Sequence, residues 1–545
     1  MTLEKKKSNN VLVQGGILAA SSLIVRMIGL LYRVPMTAIL GDTAMGYYGS
    51  AFEFYEIALL LSSYSLPLAV SKLVSVREDQ GQHANSRRVF MLALAFGAVV
   101  GGLATCVCYF GADLYGSFIH SPGVATPLRV LAPTIFTFSV MGVIRGYFQG
   151  HNNMVPTAIS QIVEQIINAA VSIIASYMLM RKYEGFSDRA SYGAAGGTLG
   201  TFSGAFAALV FLVITYAIYR KAFNHLIEAE EAAGGHTPER NAHVLHLIIW
   251  TVIPVVVSQT IYQLSGTIDN IVFNRFLNAK GFEENVRVAW WGMYTGKYKL
   301  LTTVPVAIAS AMGTAIVPSL IAEYVRGHLD SVRSKIATAV KFNMIIAFPC
   351  AAGMTVLARP ILILLFGDGR EISGNMLTYG SVCIVFFAFS TLTNGILQGV
   401  NRLNIPVRHS AIALAIHIAT LVPLLKFTTL GVYALVICNI EFAFVVSVLN
   451  WISVSKVLSY KQEVMRTFIS PLLASVCMGL AVRGFYQLLR NVCGVRVSCV
   501  LAIGFAVPVY FALLLLFRGV TKEELLKMPK GQLIVKILTK CRLLR

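Results

Sequence analysis

Two arginines seven residues apart, Arg26 and Arg33, lie in an apolar stretch that runs from about residue 11 to residue 40. Seven residues make about two helical turns, so both side chains leave one helix face with their backbone positions about 10 Å apart. Two forked, permanently charged guanidinium groups at that spacing can converge on one extended anion such as a phosphate. The alternative is neutralisation by Glu53 and Glu56, which share a face of the next apolar segment. Comparable surroundings hold Arg145, Arg275, Lys297, Lys299, Lys341 and Arg483, with Glu164, Asp269 and Glu441 as the further acids. Lys297 and Lys299 point about 200° apart on a helix, so both cannot face one narrow site. Lys299, shortly before Pro305, is the candidate for a cavity, and Lys297 is expected to snorkel or to pair with an acid. Arg275 is expected at an interface. Glu164 and Asp269 are open to two roles, salt-bridge partner or ligand of a coupling cation such as Na+ or H+. No catalytic constellation and no metal site is expected: the cysteines form no CxxC pair, and His409 and His417 have no neighbouring acid.

The elements that carry these charges follow from composition. Of 545 residues, 56% are hydrophobic and 13% charged, against roughly 25% charged in soluble proteins. A water-soluble globule is excluded, and apolar runs of about 20 residues are long enough to cross a bilayer as helices. Fourteen such segments are expected, near 11–40, 47–71, 89–110, 128–150, 155–180, 192–219, 246–278, 289–322, 336–357, 374–400, 406–427, 430–455, 465–488 and 497–517. The net charge of +20 would point to nucleic acid in a soluble protein, but here alternate loops and the termini hold more than twice as many Lys and Arg as the remaining loops. By the positive-inside rule both termini are cytoplasmic, and anionic lipid rather than nucleic acid is the basic surface's partner. The N-terminal run is too long for a cleaved signal and reads as the first span. In the tail, Leu533, Ile534, Ile537, Leu538 and Cys541 share one helical face, as in an interfacial helix. Each charge left inside the spans costs roughly 2.5–3.5 kcal/mol at a helix centre, so it must face water, pair or snorkel.

The chain also repeats. Gly146, Gln149, Gly150 and Asn152 recur as Gly395, Gln398, Gly399 and Asn401, each set soon followed by a proline, Pro156 and Pro406. Gly29 matches Gly266, and Pro67 with Ala69 matches Pro305 with Ala307. Spans one to six thus recur as seven to twelve, and six being even, the repeat is parallel about the membrane normal. The expected organisation is an all-α polytopic membrane protein with a first lobe over 1–220 and a cytoplasmic connection over 221–245. A second lobe follows over 246–457, two added spans over 458–518 and a basic amphipathic tail over 519–545. Two such lobes enclose a cavity that rocking exposes to each side in turn. At the equivalent positions of the second lobe Arg26 becomes Gln263, Arg33 becomes Asn270 and Arg145 becomes Asn394, so the basic wall belongs to the first lobe alone. Pro35 removes the helical bond to the Leu31 carbonyl, and with Gly29 and Gly41 beside it forms a candidate hinge.

The run from Arg26 through Gly29 to Arg33, the following Leu40 and Gly41, the Pro67 to Lys72 ending of span two and the repeated GxxQGxN resemble one family over nearly the whole chain. It is the multidrug/oligosaccharidyl-lipid/polysaccharide exporter superfamily, in its branch of stage V sporulation protein B and MurJ-like lipid II flippases. The resemblance implies a non-enzymatic alternating-access flippase, without a cofactor, that carries a pyrophosphate-linked lipid oligosaccharide across the bacterial cytoplasmic membrane for cell-wall or polysaccharide synthesis. It implies substrate contact by Arg26, Arg33 and Lys299, to which the residues themselves add Arg145. The family's further arginine in helix two has no counterpart here, Glu53 and Glu56 occupying that region. That departure leaves open another undecaprenyl-linked glycan in place of lipid II. A monomer in contact with lipid, with envelope-synthesis machinery as a further partner, is expected. A cation-coupled multidrug antiporter of the same superfamily is the competing function.

Overall fold

In hydrocarbon every peptide group must be satisfied within its own segment, and the regular structure among the described residues is helical with no strand. The computed structural model describes the backbone of residues 2–520 except residues 64, 315 and 403. The basic tail and its expected interfacial helix lie outside the described residues. Among the described residues, nine helices are long and apolar enough to cross a membrane, or ten if one bent pair counts as a span.

The chain divides into two compact units, Met1–Gly296 and Lys297–Arg545. The first contains α1 (Thr2–Ser62), α2 (Leu66–Asp79), α3 (His83–Phe110), α4 (Ala112–Phe118), α5 (Ala125–Leu131), α6 (Pro133–Gly150), α7 (Val155–Lys182), α8 (Arg189–Ala232), α9 (Asn241–Ala279) and α10 (Glu284–Met293). A π-helical turn, Tyr294–Lys299, leads into the second unit. That unit contains α11 (Leu300–Thr314), α12 (Val317–Val325), α13 (Leu329–Phe366), α14 (Glu371–Gly380), α15 (Cys383–Gly399), α16 (Asn404–Phe427), α17 (Val432–Leu458) and α18 (Ser470–Leu516). This partition follows spatial contact, whereas the lobes expected above follow sequence repetition; α9 and α10 pack with the first unit. The segment expected as span eight holds α10, the π turn and α11, which follow one another without a gap, and then α12. Helix α8 continues through the first half of the 221–245 connection.

Two of the long helices fold back on themselves at a single glycine. Gly41 in α1 has φ 68° and ψ −179°, and Gly494 in α18 has φ 72° and ψ 172°, a region open to glycine because it lacks a Cβ. Across Gly41, Thr37 Oγ1 meets Met45 Sδ at 3.7 Å. Across Gly494, Ser470 Oγ donates to the Phe517 carbonyl at 3.0 Å and the rings of Phe485 and Phe505 stack at 4.2 Å. The repeated GxxQGxN ends a helix in both copies. Helix α6 stops at Gly150 and α15 at Gly399, and Asn152 and Asn401 both take left-handed φ values, 57° and 61°.

The connection to α9 is fastened to α2 and α3. Arg77 donates through Nε and Nη2 to both carboxylate oxygens of Glu239, at 2.9 and 2.6 Å. Asn85 closes a second bridge, accepting from the Glu239 backbone N–H at 3.0 Å and donating to the Thr237 carbonyl at 3.2 Å. Just past the Gly41 reversal, the second half of α1 meets α10 so closely that a Cβ on Gly292 would collide with the Asp42 carbonyl, and one on Gly46 with the Val288 carbonyl. Gly292→Ala is therefore expected to destabilise the protein by about 1–3 kcal/mol through overpacking. Gly484, where a Cβ would meet nothing within 4 Å, tolerates alanine. Thermal unfolding in detergent, followed by fluorescence, separates the two variants.

Candidate functional site

Arg145 on α6 is buried. Its Nη2 lies 2.8 Å from Glu164 Oε2 on α7, and its Nε donates to Ser160 Oγ at 2.9 Å. Glu164 is thus the partner of Arg145. Arg33 is half-buried beside Tyr32 and Tyr48, within Coulombic reach of Glu56. The reversal at Gly41 creates this proximity, since it lays the second half of α1 against the first. Tyr55 joins the two clusters: it is buried near both Glu56 and Glu164, and its hydroxyl has no hydrogen-bond partner among the described residues. The Tyr48 hydroxyl and Asn274 Oδ1 are likewise buried without a hydrogen-bond partner among the described residues. Arg26 is exposed and forms no ion pair among the described residues. Gly29 faces α7, where a Cβ would stand 3.1 Å from Gln165 Nε2.

Glu53 is turned the other way, toward α9. Its carbonyl accepts from Thr267 Oγ1 at 2.9 Å, and a Cβ on Gly266 would collide with its carboxylate. Next to it, fully buried Asn270 donates to Ser50 Oγ at 2.7 Å. Asn270 is the repeat equivalent of Arg33, and here it serves a dry helix contact. The equivalent of Arg145 behaves likewise: Asn394 accepts from Asn450 Nδ2 at 2.7 Å. Asn450 also donates to Thr393 Oγ1 at 3.2 Å and pairs with His409 Nδ1 at 2.7 Å. An amide network thus stands in the second unit where the first has Arg145 and Glu164. His409 and His417 are packing residues, the latter hydrogen-bonded to the Cys438 carbonyl at 3.0 Å.

In the second unit Lys299 is half-buried at the end of the π turn. Buried Lys297 reaches Asp368 Oδ2 at 2.6 Å, the acid pairing expected for it, with a partner in a loop that sequence reasoning passed over. Arg370 Nε and Ser373 Oγ also donate to Asp368, at 2.9 and 2.8 Å. Burial works against ionisation of this carboxyl, yet the bonds from Arg370 and Lys297 hold it well below the usual carboxylate range. Asp269 is buried on α9. Arg275 lies 4.7 Å from the centre of the Phe118 ring, Lys341 is buried and Arg483 is exposed. Among the described residues no group of three or more His, Cys, Asp or Glu is placed to hold a metal ion.

The helical fold of the chain is shared with solved membrane proteins. A multidrug-resistance MATE transporter of the multidrug/oligosaccharidyl-lipid/polysaccharide exporter superfamily, inward-facing, superposes with a TM-score of 0.63 at 17% identity, covering 82% of this chain and 98% of that one. The lipid II flippase MurJ in an inward closed conformation gives 0.63 at 14% identity, covering 92% and 98%. The sequence model described as polysaccharide biosynthesis protein matches residues 11–324, and the MatE model matches residues 254–422. The chain belongs to the polysaccharide biosynthesis protein family. Its curated relatives include the lipid II flippase MurJ of Bacillus subtilis (strain 168), 24% identical over 86% of this chain and 87% of that protein. Stage V sporulation protein B of the same organism is 24% identical over 95% and 98%. The chain stands with transporters and flippases, not with enzymes.

Two outcomes follow from these ion pairs. Glu164→Gln leaves the Arg145 charge buried without its counter-ion and is expected to cost about 3 kcal/mol; the double variant Arg145→Met/Glu164→Leu recovers most of it, as a thermal double-mutant cycle would measure. Because the Asp368 carboxyl is shifted down, its contribution is complete above the ordinary carboxylate range and is lost as pH falls below about 4. Thermal scans from neutral to acid pH should therefore show a steeper decline for the wild type than for Asp368→Asn.

Proposed function

We propose that the chain is a flippase that moves an anionic lipid-linked oligosaccharide, lipid II or a related undecaprenyl-pyrophosphate glycan precursor, across the bacterial cytoplasmic membrane by alternating access. The observation that carries this reading is the contrast between the repeats. Where the second copy places Asn270 and Asn394 in neutral packing networks, the first keeps the charged Arg33 and Arg145, half-buried and buried. Arg26, Arg33 and Arg145 would receive the phosphates, and Lys299 is the further substrate contact that the family resemblance implies. Glu53, Glu56, Glu164 and Asp269 would neutralise the empty site or bind a coupling Na+ or H+, and Gly29, Pro35 and Gly41 would let α1 bend. An apolar groove of about 470 Å³ between α13 and α18, which includes Pro305, Met354 and Phe511, has the chemistry to accept a polyprenyl tail.

In this reading the chain crosses the membrane fourteen times as two six-helix repeats plus two helices. α1 and α18 each contribute a pair of crossings through their glycine reversals. Both termini face the cytoplasm, and the protein works as a monomer alongside the envelope-synthesis machinery, with no cofactor and no nucleic acid. A cation-coupled multidrug antiporter is the second reading, favoured by the likeness to a MATE transporter and by the acids near Arg33. The predominance of cations weighs against a cationic drug as cargo. Arg26→Ala and Arg33→Ala should each abolish rescue of a flippase-depleted strain while the protein still accumulates in the membrane. Normal growth with either variant removes these residues from the site, and resistance to organic cations without a glycan phenotype would favour the antiporter.

A further inference from the structure

A histidine at the end of α6 meets more acceptors than a neutral ring can serve. His151 follows Gly150 and caps α6. Its Nδ1 lies 2.9 Å from the Tyr147 carbonyl oxygen, and its Nε2 lies 3.2 Å from Glu78 Oε1 at the end of α2. The first partner is a carbonyl and the second a carboxylate, and neither has a hydrogen to give when the acid is ionised. A neutral imidazole carries one N–H, so either tautomer turns a nitrogen lone pair onto an oxygen. The imidazolium, with both nitrogens protonated, donates to both.

The surroundings favour that charged form. A cation at a helix C-terminus is stabilised by the free carbonyls there. The His151 side chain is 12% exposed and packs against the rings of Tyr147 and Phe223 at 4.4 and 4.6 Å, which limits replacement of a missing donor by water. From α2 the ring faces Glu78, whose neighbour Arg77 is committed to Glu239. From α3 the nearby groups are His83 and Arg87, the latter donating to Asn224 at 3.2 Å. From α8 Tyr216 stands behind Tyr147 at 6.1 Å, and Glu230 is spent on the Ala84 N–H and on His236. His83 differs from His151: it reaches the other oxygen of Glu78 through Nδ1 at 2.7 Å, a bond that a singly protonated ring can make. In the second copy Val400 stands at the position of His151, and α15 still ends in a left-handed asparagine, so the helix stop does not require the histidine.

We propose that His151 is a proton switch: charged, it clasps the end of α6 to the end of α2 through Glu78, and when it loses one proton one of its two bonds is given up and the clasp loosens. The clasp holds at acid pH and weakens as pH rises through the range in which histidines titrate. A Cβ on Gly150 would collide with the Val74 side chain, so α6 and α2 stay in contact before the clasp and the loosening is confined to the turns beyond it. On the topology proposed above these ends face the cytoplasm, whose pH the switch would read; the switch itself does not depend on the identity of the cargo.

Hydrogen–deuterium exchange of the full-length protein in detergent, from about pH 5.5 to about pH 8.5 to span histidine titration, tests the switch once rates are corrected for the intrinsic pH dependence of exchange. Segments 75–82 and 148–155 are expected to lose protection by roughly tenfold across that range, as loss of a bond to a charged group implies. His151→Gln, whose amide has the same donors at every pH, is expected to show no such step. Glu78→Gln, which leaves His151 in place and removes its anion, is expected to flatten the profile as well. His83→Gln is expected to keep the step at 148–155. A wild-type profile without the step overturns the proposal, and so does a step that survives in His151→Gln or in Glu78→Gln. Loss of the step in His83→Gln would assign the titration to His83 and overturn it too.

Discussion

The penalty for an unneutralised charge in hydrocarbon is the constraint on which the rest of the structure depends. It accounts for buried cations being met by polar partners from other segments. Arg145 is fixed by Glu164 and Ser160, and Lys297 by an aspartate at the end of α13. Arg287, also buried, gives its donors to the carbonyls of Phe282, Asn274 and His120. In each case the cation ties helices together while its own solvation is replaced. Arg26 differs in being exposed and without an ion pair among the described residues.

The same constraint gives the repeat its meaning. A duplicated bundle can satisfy equivalent positions with different chemistry, provided each choice is locally complete. At the positions that the sequence repeat makes equivalent, amides stand instead: Asn270 bonds Ser50, and Asn394 bonds Asn450, while Asn274 Oδ1 beside Asn270 has no hydrogen-bond partner among the described residues. Guanidinium groups in the first copy need carboxylates and phenols around them, and Tyr55 still retains a buried hydroxyl without a partner among the described residues. The shared GxxQGxN segment, by contrast, does one task in both copies, ending a helix with an asparagine in the left-handed region. Shared spacing between copies here marks backbone geometry, whereas divergence between copies marks the charged site.

Composition and apolar run length determined the membrane class and the helical architecture, because a bilayer offers the backbone no other way to bond itself. Sequence also isolated the intramembrane charges, since each stands out against a hydrocarbon-compatible background. It did not reveal that Arg33 and Glu56 approach one another while Glu53 faces α9, because a reversal at one glycine sets the register between two halves of α1. Nor did it reveal Asp368 as the counter-ion of Lys297: a loop carboxylate has no periodicity to mark which buried cation it meets. The π turn within span eight was likewise invisible, since hydropathy averages over irregular backbone. What the sequence determined is which residues the membrane forbids from standing alone; which partner each one takes was decided only by the tertiary structure, because partner choice depends on distances between helices and not on their order in the chain.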